Sequence, residues 1–588
     1  MLGESQSPKP LKIIARESSG KQLIELSRVR LVCVIAFFLL CFVAISIRLV
    51  EVSVFNKTDD SAMRPPSIDA SSQEALNGEW NTPMELSRLD IVDRNGVVVA
   101  TSLNMLSLFA NPKVMVEPYE AARKLSSVFP EMKEKDLKKR LTQNNTFVWI
   151  KRNLTPKEQH SVNNLGIPGL YFQAEQRRVY PHANLMSHII GYVGVDNKGL
   201  AGIEKHFDKK LLATKYERDA LQLSVDVRVQ HIVHDELSKA ISQFSAIGGV
   251  GVVMDIKSGE LISMCNLPDF NPHEPGRASD DAKFNRASLG NYEMGSTFKT
   301  FTTAMALDYG IVTMHDGYDA SNPIKIARYT ISDTHPKNRW LSIPEIYAYS
   351  SNIGTVKMIL DVGAKRQQEF LKKFGMFEPV SIEIPEISSP LYPKDWKEIN
   401  AMTISFGHGM TVSPLNLVRG VAAVVDGGVL MPMTLIKGGN AKKPAGARVM
   451  KEATARQMRR LMRMVVQYGT GGKADAEGYR VGGKTGTAEK VQAGGYSKDS
   501  KMALFVGAFP TDDPKYVVLV MVDEPKGDKS TYGYATGGWI AAPVAGNIIR
   551  RMGTLYGVSP IFDEVPERAE DSGWVSEANR RFLQDVKY

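Results

Sequence analysis

The chain has 588 residues, 23% of them charged and 43% hydrophobic, with 48 glycines and 30 prolines. These ordinary globular values exclude a mainly disordered, collagen-like or wholly membrane-embedded chain, and the length calls for two folded domains plus appendages. A net charge of +9 permits anionic partners without demanding nucleic acid, and three cysteines (Cys33, Cys41, Cys265) exclude a disulfide scaffold and any Cys-x-x-Cys zinc site.

Residues 1–30 form a tail carrying Lys9, Lys12, Arg16, Lys21, Arg28 and Arg30 against Glu4, Glu17 and Glu25. Residues 31–50 read as a transmembrane helix. Leu31 to Ile47 is 17 residues without a charge, about 25 Å of helix and the short end of a span. Arg30 and Arg48 can snorkel to extend it. The basic tail predicts a cytoplasmic N-terminus and a single pass. A cleaved signal peptide is the rival reading, but its basic region would be unusually long and no clear small-x-small cleavage site follows. A buried core helix would need an amphipathic face that the run lacks.

Residues 51–85 turn polar, with Pro65-Pro66, and read as a linker. From 86 to 225 short strand-like and helix-like runs alternate, with no catalytic constellation. A second domain is expected from 226 to 560. Within it Val229 to Phe244 has helical spacing and Val250 to Met254 reads as a buried strand. Three further strands are expected at Val481 to Glu489, Ala503 to Phe509 and Tyr516 to Val522. A Gly-rich polar loop, Val491 to Lys501, would join the first two, and the turn Thr511-Asp512-Asp513-Pro514 the last two. This pattern predicts an α+β domain with helices packed on an antiparallel sheet. Residues 561–588 read as a charged tail with a short helix near Glu577 to Leu583.

Three motifs carry chemistry. In Gly295-Ser296-Thr297-Phe298-Lys299, apolar residues recur at helical spacing to Gly310, which places Ser296 at a helix N-terminus with Lys299 on the same face. A buried lysine can lose its proton and activate a serine hydroxyl, and the positive helix end favours the developing alkoxide. The plainer reading is an N-cap serine followed by a surface lysine; Ser18 and Lys21 show the same spacing in the tail. Lys484-Thr485-Gly486-Thr487 offers a cation and two hydroxyls to a carboxylate, with Gly486 permitting close approach. Its plainer reading is a solvated strand edge. Ser350-Ser351-Asn352 is noise alone, since Ser-x-Asn recurs at Ser102 and Ser161. Its value is its place, 54 residues after Ser296 and 134 before Lys484. Lys257-Ser258-Gly259 reads as a hairpin turn. His231 and His234 read as a helix surface, since no third metal ligand is visible. Cys265 reads as a core thiol. No Walker loop or His-Glu-x-x-His occurs, and no basic-aromatic pattern suggests nucleic acid.

The ordered triple Ser-x-x-Lys, Ser-x-Asn, Lys-Thr-Gly resembles that of the penicillin-binding proteins. Over nearly its whole length the chain resembles the class B members. Arg88-Leu89-Asp90-Ile91-Val92-Asp93-Arg94-Asn95-Gly96, Arg178-Val179-Tyr180-Pro181 and Gly202-Ile203-Glu204 look like their pedestal motifs, with Leu89 where glycine is usual. Asp255 to Phe270 and Tyr468-Gly469-Thr470-Gly471 resemble transpeptidase segments, and Met294 stands where proline is frequent. The resemblance implies a membrane-anchored α+β protein with an extended, dimerisation-like pedestal (86–225) and a penicillin-binding transpeptidase domain (226–560). It implies a bacterial inner-membrane location with the catalytic domain periplasmic.

The resemblance also implies roles. Ser296 would be the acylated nucleophile and Lys299 its base. Ser350 and Asn352 would relay protons and hold the substrate amide. Lys484, Thr485, Gly486 and Thr487 would bind the terminal carboxylate. The N–H groups of Ser296 and Thr487 would form the oxyanion hole. The substrates would be peptidoglycan stem peptides and β-lactams, with no cofactor, no metal and no nucleic acid. Asn352, the overall length and the absence of appended repeats resemble the cell-division type, whose partners would be membrane-embedded division proteins including a glycosyltransferase. The elongation type, a D,D-carboxypeptidase or β-lactamase, a β-lactam-acylated sensor and a scaffold with a dead site are the rivals. The pedestal argues against a simple hydrolase, and the short tail before one helix argues against a sensor. The intact motifs argue against a scaffold alone.

Overall fold

The chain divides into two units, Met1–Pro83 and Met84–Tyr588. The computed structural model describes residues 87–213, 219–326, 329–439, 446–492 and 495–562, together with Ala36, Leu39, Leu40, Phe42, Val43 and Ser46. Those six are helical and exposed. The expected tail, the rest of the expected span, the linker and the expected helix near Glu577 to Leu583 lie outside the described residues. Among the described residues no helix is long and apolar enough to cross a membrane.

The second unit begins with a small α+β assembly. Strand β1 (Val98–Ala110) pairs antiparallel with β2 (Val148–Leu154) on one side and β3 (Leu170–Val179) on the other. Helices α1 (Pro118–Val128) and α2 (Glu134–Leu141) cover one face. Leu108 and Ala110 of β1 meet Ala122, Leu125 and Leu141 there in one buried cluster. Alternation along the strand puts these two residues on one face.

The three pedestal motifs, spread over 116 residues, close on one another. Arg88 Nε lies 2.5 Å and Arg178 Nε 2.7 Å from the two oxygens of Glu204, on the short helix α3 (Gly202–His206). All three side chains are essentially inaccessible. Arg88 also reaches Asp208 at 2.8 Å. Two buried guanidiniums therefore depend on one buried carboxylate, an arrangement that is costly to break from either side. Asp93 shapes the neighbouring turn by accepting from Asn95 N (2.7 Å) and Val97 N (2.9 Å), and it reaches Val227 N (3.2 Å) at the start of the next helix.

That helix, α4 (Val227–Gln243), matches the expected helical spacing. Strands β4 (Gly248–Asp255) and β5 (Leu261–Leu267) follow, joined by a turn through Lys257-Ser258-Gly259 as anticipated. Helices α5 (Lys299–Asp308), α6 (Ile343–Ala348), α7 (Asn352–Val362), α8 (Pro414–Val425) and α9 (Glu452–Tyr468) come next. Strands β6 (Gly482–Gln492), β7 (Gly495–Phe509) and β8 (Tyr516–Asp523) and helix α10 (Ala541–Leu555) complete the unit.

The five strands form one antiparallel sheet in the order β6-β7-β8-β4-β5. The three late strands were anticipated; that β8 continues onto β4 was not, since it joins segments some 260 residues apart and no local signal reports it. One correction concerns the expected loop from Val491 to Lys501. Pairing runs on through Lys490↔Ser497, Val491↔Tyr496 and Gln492↔Gly495, after a register shift at Glu489/Lys490. Polar composition suggested a loop, but a two-stranded ribbon satisfies its backbone groups by pairing whatever its side chains.

Strand alternation divides the core. Val518, Val520 and Val522 face α4 and α10. Val517, Leu519 and Met521 face the helices that carry the motifs. Cys265 is buried on the α4 side, as a core thiol, and its burial pushes the thiol pKa up.

Candidate active site

Ser296 sits in a 3₁₀ turn, Gly295–Phe298, that leads directly into α5. It does not cap the helix; the Met294 carbonyl accepts from Thr297 N and Oγ1 instead. Gly295 has φ +49°, and a Cβ there would stand 2.7 Å from the Thr487 carbonyl. Across the gap, a Cβ on Gly486 would stand 2.9 Å from the Met294 carbonyl. Two missing side chains thus let the serine turn and the edge strand β6 lie against each other.

Lys299 is wholly buried, which removes the surface-lysine reading. Its Nζ contacts the Ser350 carbonyl (2.6 Å), Ser350 Oγ (3.1 Å) and Asn352 Oδ1 (2.6 Å), rather than Ser296. Lys484, also wholly buried on β6, contacts the same Ser350 Oγ at 3.0 Å. Lys299 and Lys484, from two separate motifs, therefore converge on one hydroxyl of the third, and Asn352 of that same motif holds Lys299. The solvated-edge reading of Lys484 fails for the same reason.

Burial lowers both lysines, because the charged form loses its hydration. Lys299 is held well below its ordinary range by burial, with the nearby Lys484 charge adding to it and Asp333 opposing. Burial brings Lys484 down to about 7. A neutral Lys299 keeps two N–H donors, and these match the Ser350 carbonyl and Asn352 Oδ1, which only accept. Its lone pair then faces Ser350 Oγ, which can donate while accepting from a charged Lys484. The arrangement can pass a proton between two amines through one hydroxyl.

Ser350 has φ +60°, the left-handed region that few residues other than glycine adopt. The hydroxyls of Thr485 and Thr470 are 2.6 Å apart. Thr487 Oγ1 accepts from Gly537 N at 3.1 Å, so the segment between β8 and α10 crosses the Lys-Thr-Gly-Thr strand. Sequence reasoning quoted Thr470 without giving it a contact and missed Gly537. It also missed Asp333, whose carboxylate receives Ser351 Oγ (2.7 Å), Asn352 N (2.5 Å) and Ile353 N (2.9 Å). Nothing in Ser332-Asp333-Thr334 marks it: it lies 18 residues before Ser351 in a polar loop.

His231 and His234 lie on α4, away from this site. His234 Nε2 is 3.0 Å from Asp269, and His231 lines a shallow groove of about 880 Å³ with Leu185, Val227 and Leu555. Among the described residues no cluster of His, Cys, Asp and Glu is suited to a metal ion.

Residues 249–550 match the penicillin binding protein transpeptidase domain, and residues 83–224 match the penicillin-binding protein dimerisation domain. The chain is 37% identical to the probable peptidoglycan D,D-transpeptidase FtsI of Caulobacter vibrioides, over 90% of this chain and 89% of that one. It is 34% identical to the probable peptidoglycan D,D-transpeptidase PenA of Neisseria meningitidis, over 81% and 85%. In fold it is similar to a peptidoglycan synthetase from Bifidobacterium adolescentis, with a TM-score of 0.64 and 24% identity, over 82% of this chain and 97% of that one. The chain belongs to the penicillin-binding proteins, as a class B member with a dimerisation-type pedestal and a transpeptidase domain.

Proposed function

We propose that the chain is a peptidoglycan D,D-transpeptidase of the cell-division type that works through an acyl-enzyme on Ser296. The observation that carries this reading is the convergence of Lys299, Ser350, Asn352 and Lys484 beside the Ser296 turn. Ser296 Oγ attacks the carbonyl of the penultimate D-alanine of a stem peptide, and Lys299, turning its lone pair from Ser350 Oγ to Ser296 Oγ, takes its proton. The oxyanion forms against the N–H groups of Ser296 and Thr487. The tetrahedral intermediate collapses as Ser350 delivers its proton to the departing amine and takes in its place the one Lys299 had removed from Ser296, which releases D-alanine and leaves Lys299 neutral. An amine of a second stem peptide then attacks the ester, and Ser296 regains its proton. Lys484, Thr485 and Thr487 hold the terminal carboxylate, with Gly486 giving it room. A β-lactam enters by the same first step, but its ring nitrogen stays tethered.

The septal assignment is supported by Asn352 and by similarity to FtsI and PenA proteins. On the same reading, residues 31–50 anchor the chain in the inner membrane, residues 1–30 are cytoplasmic and the catalytic domain is periplasmic. The anchor and pedestal then serve as docking surfaces for membrane-embedded division proteins, a glycosyltransferase among them. Purified full-length protein given two stem peptides should release D-alanine and form the cross-linked dimer; D-alanine release without the dimer would mark a carboxypeptidase. Depletion should give long filaments with unconstricted midcells. Round, swollen cells that still divide would move the protein to the elongation type. Protease added outside spheroplasts should remove the ectodomain, and its protection would refute the topology.

A further inference from the structure

Away from the catalytic centre, a groove of about 880 Å³ lies between residues 182–185 of the pedestal and the helices α4 and α10. Its apolar lining is Leu185, Val227, Ile232 and Leu555, and Arg228 and Arg551 stand among them. None of the described residues that line it is acidic. The N-terminus of α4 lies beside the C-terminus of α10 there, so the two helix dipoles offset and side-chain charge decides what the groove attracts. Arg228 pairs with Asp226, and Arg551 with Asp235 and Glu236. Donors remain beyond those pairs. Arg551 reaches both carboxylates through Nη1 alone, out of five guanidinium N–H groups, and the Arg228 side chain is 56% exposed.

The chain itself passes this groove and carries the matching chemistry. Thr554 and Leu555 line it. Seven positions after Leu555 the described chain reaches Phe562, with 26 residues of the sequence beyond. Ile561 N donates to the Gly478 carbonyl at 2.8 Å, and the hydroxyl of the next residue, Tyr479, meets Thr554 Oγ1 at 3.0 Å. One tyrosine side chain and two hydrogen bonds thus separate the end of the described chain from the groove, about 15 Å in all. Residues 563–571 carry Asp563, Glu564, Glu567, Glu570 and Asp571 against Arg568, a net charge of −4, with Val565 and Pro566 between the acids. Nine extended residues span about 30 Å, twice the gap. Acids flanking apolar residues face arginines flanking an apolar lining.

We propose that residues 563–571 dock in this groove, with the acids against Arg228 and Arg551 and Val565-Pro566 on the apolar lining, and so strap the end of the transpeptidase domain to the pedestal. Exposed ion pairs are individually weak. They suffice here because a short tether holds the segment at an effective concentration on the order of millimolar. The strap is independent of the roles assigned to Ser296, Lys299 and Lys484.

The test is photo-crosslinking in the purified full-length protein, with p-benzoylphenylalanine in place of Val565, followed by peptide mapping. The expected crosslinks join position 565 to residues 182–185, 227–232 or 551–555 within one chain. Their yield should fall at least about fivefold in about 0.5 M salt, where the Debye length is about 4 Å. The same fall is expected when Glu564→Lys, Glu567→Lys and Glu570→Lys are combined, substitutions that lie outside every packed element described above. An absence of crosslinks, crosslinks to other segments, or a yield indifferent to both salt and charge reversal overturns the proposal. Crosslinked dimers in place of links within one chain would seat a second copy in the groove and overturn it equally.

Discussion

Two buried amines on one serine hydroxyl make the acylation rate bell-shaped in pH, and the alkaline side is the sharper test. Lys484 binds a carboxylate only while charged, and burial brings its pKa down to about 7. At two pH units above that value about one per cent of it remains charged. The second-order rate constant reports the free enzyme, so it should fall about tenfold per unit above neutrality and about a hundredfold by pH 9. Because Lys299 and Lys484 share Ser350 Oγ, the two limbs belong to the coupled pair rather than to either residue. Lys484→Arg supplies a cation that does not titrate in this range. It should abolish the alkaline limb while lowering the plateau, since a planar guanidinium cannot reproduce the ammonium's contacts. The assay is stopped-flow acylation by a chromogenic cephalosporin. A wild-type rate that stays flat from pH 7 to pH 9, or an arginine variant with the same fall, would refute the assignment of Lys484.

Further predictions follow from the same contacts. Glu204→Ala leaves Arg88 and Arg178 buried without their shared carboxylate and should destabilise the protein by about 3–5 kcal/mol, read by denaturant unfolding. Gly295→Ala puts a methyl group 2.7 Å from the Thr487 carbonyl at a positive φ; acylation should drop about a hundredfold, the scale of a misplacement near 1 Å, while a melt shows the protein still folded. Lys484→Met should raise the melting temperature at about pH 6. Below about pH 7 both folded and unfolded wild type carry the Lys484 proton, and its burial penalty is fully present. Between there and the unfolded value near 10.4 the unfolded chain holds more protons, so wild type gains stability and the gap should close. A gap that is constant with pH would show that the substitution acts by packing alone.

How much was legible in the sequence follows from how local each signal is. Ser296 and Lys299 share one helical turn, so their spacing exposed them. The strand candidates at 481, 503 and 516 were visible because apolar runs and the Thr511 to Pro514 turn are local. The order of the three motifs pointed to the family, but only folding brings Lys299 and Lys484 to Ser350 Oγ. Asp333 was illegible for the opposite reason: one acid in a polar loop carries no pattern, and its meaning lies in three hydrogen bonds to residues 18 to 20 positions on. The ribbon at Val491 to Lys501 was misread because composition reports side chains, whereas ribbon formation depends on backbone pairing. The pedestal motifs were recognised as three separate strings; that Arg88, Arg178 and Glu204 form one buried ion cluster required the fold.

The central claim is that Ser296 is the acylated residue. Mass spectrometry of the intact full-length protein after benzylpenicillin treatment, followed by peptide mapping, tests it directly. One penicilloyl group should appear, on the peptide containing Ser296, and Ser296→Ala should lose it with a nearly unchanged melt because Ser296 is not fully buried and its side chain caps no helix. An adduct that survives in Ser296→Ala, or one that maps to any other residue, would contradict the account.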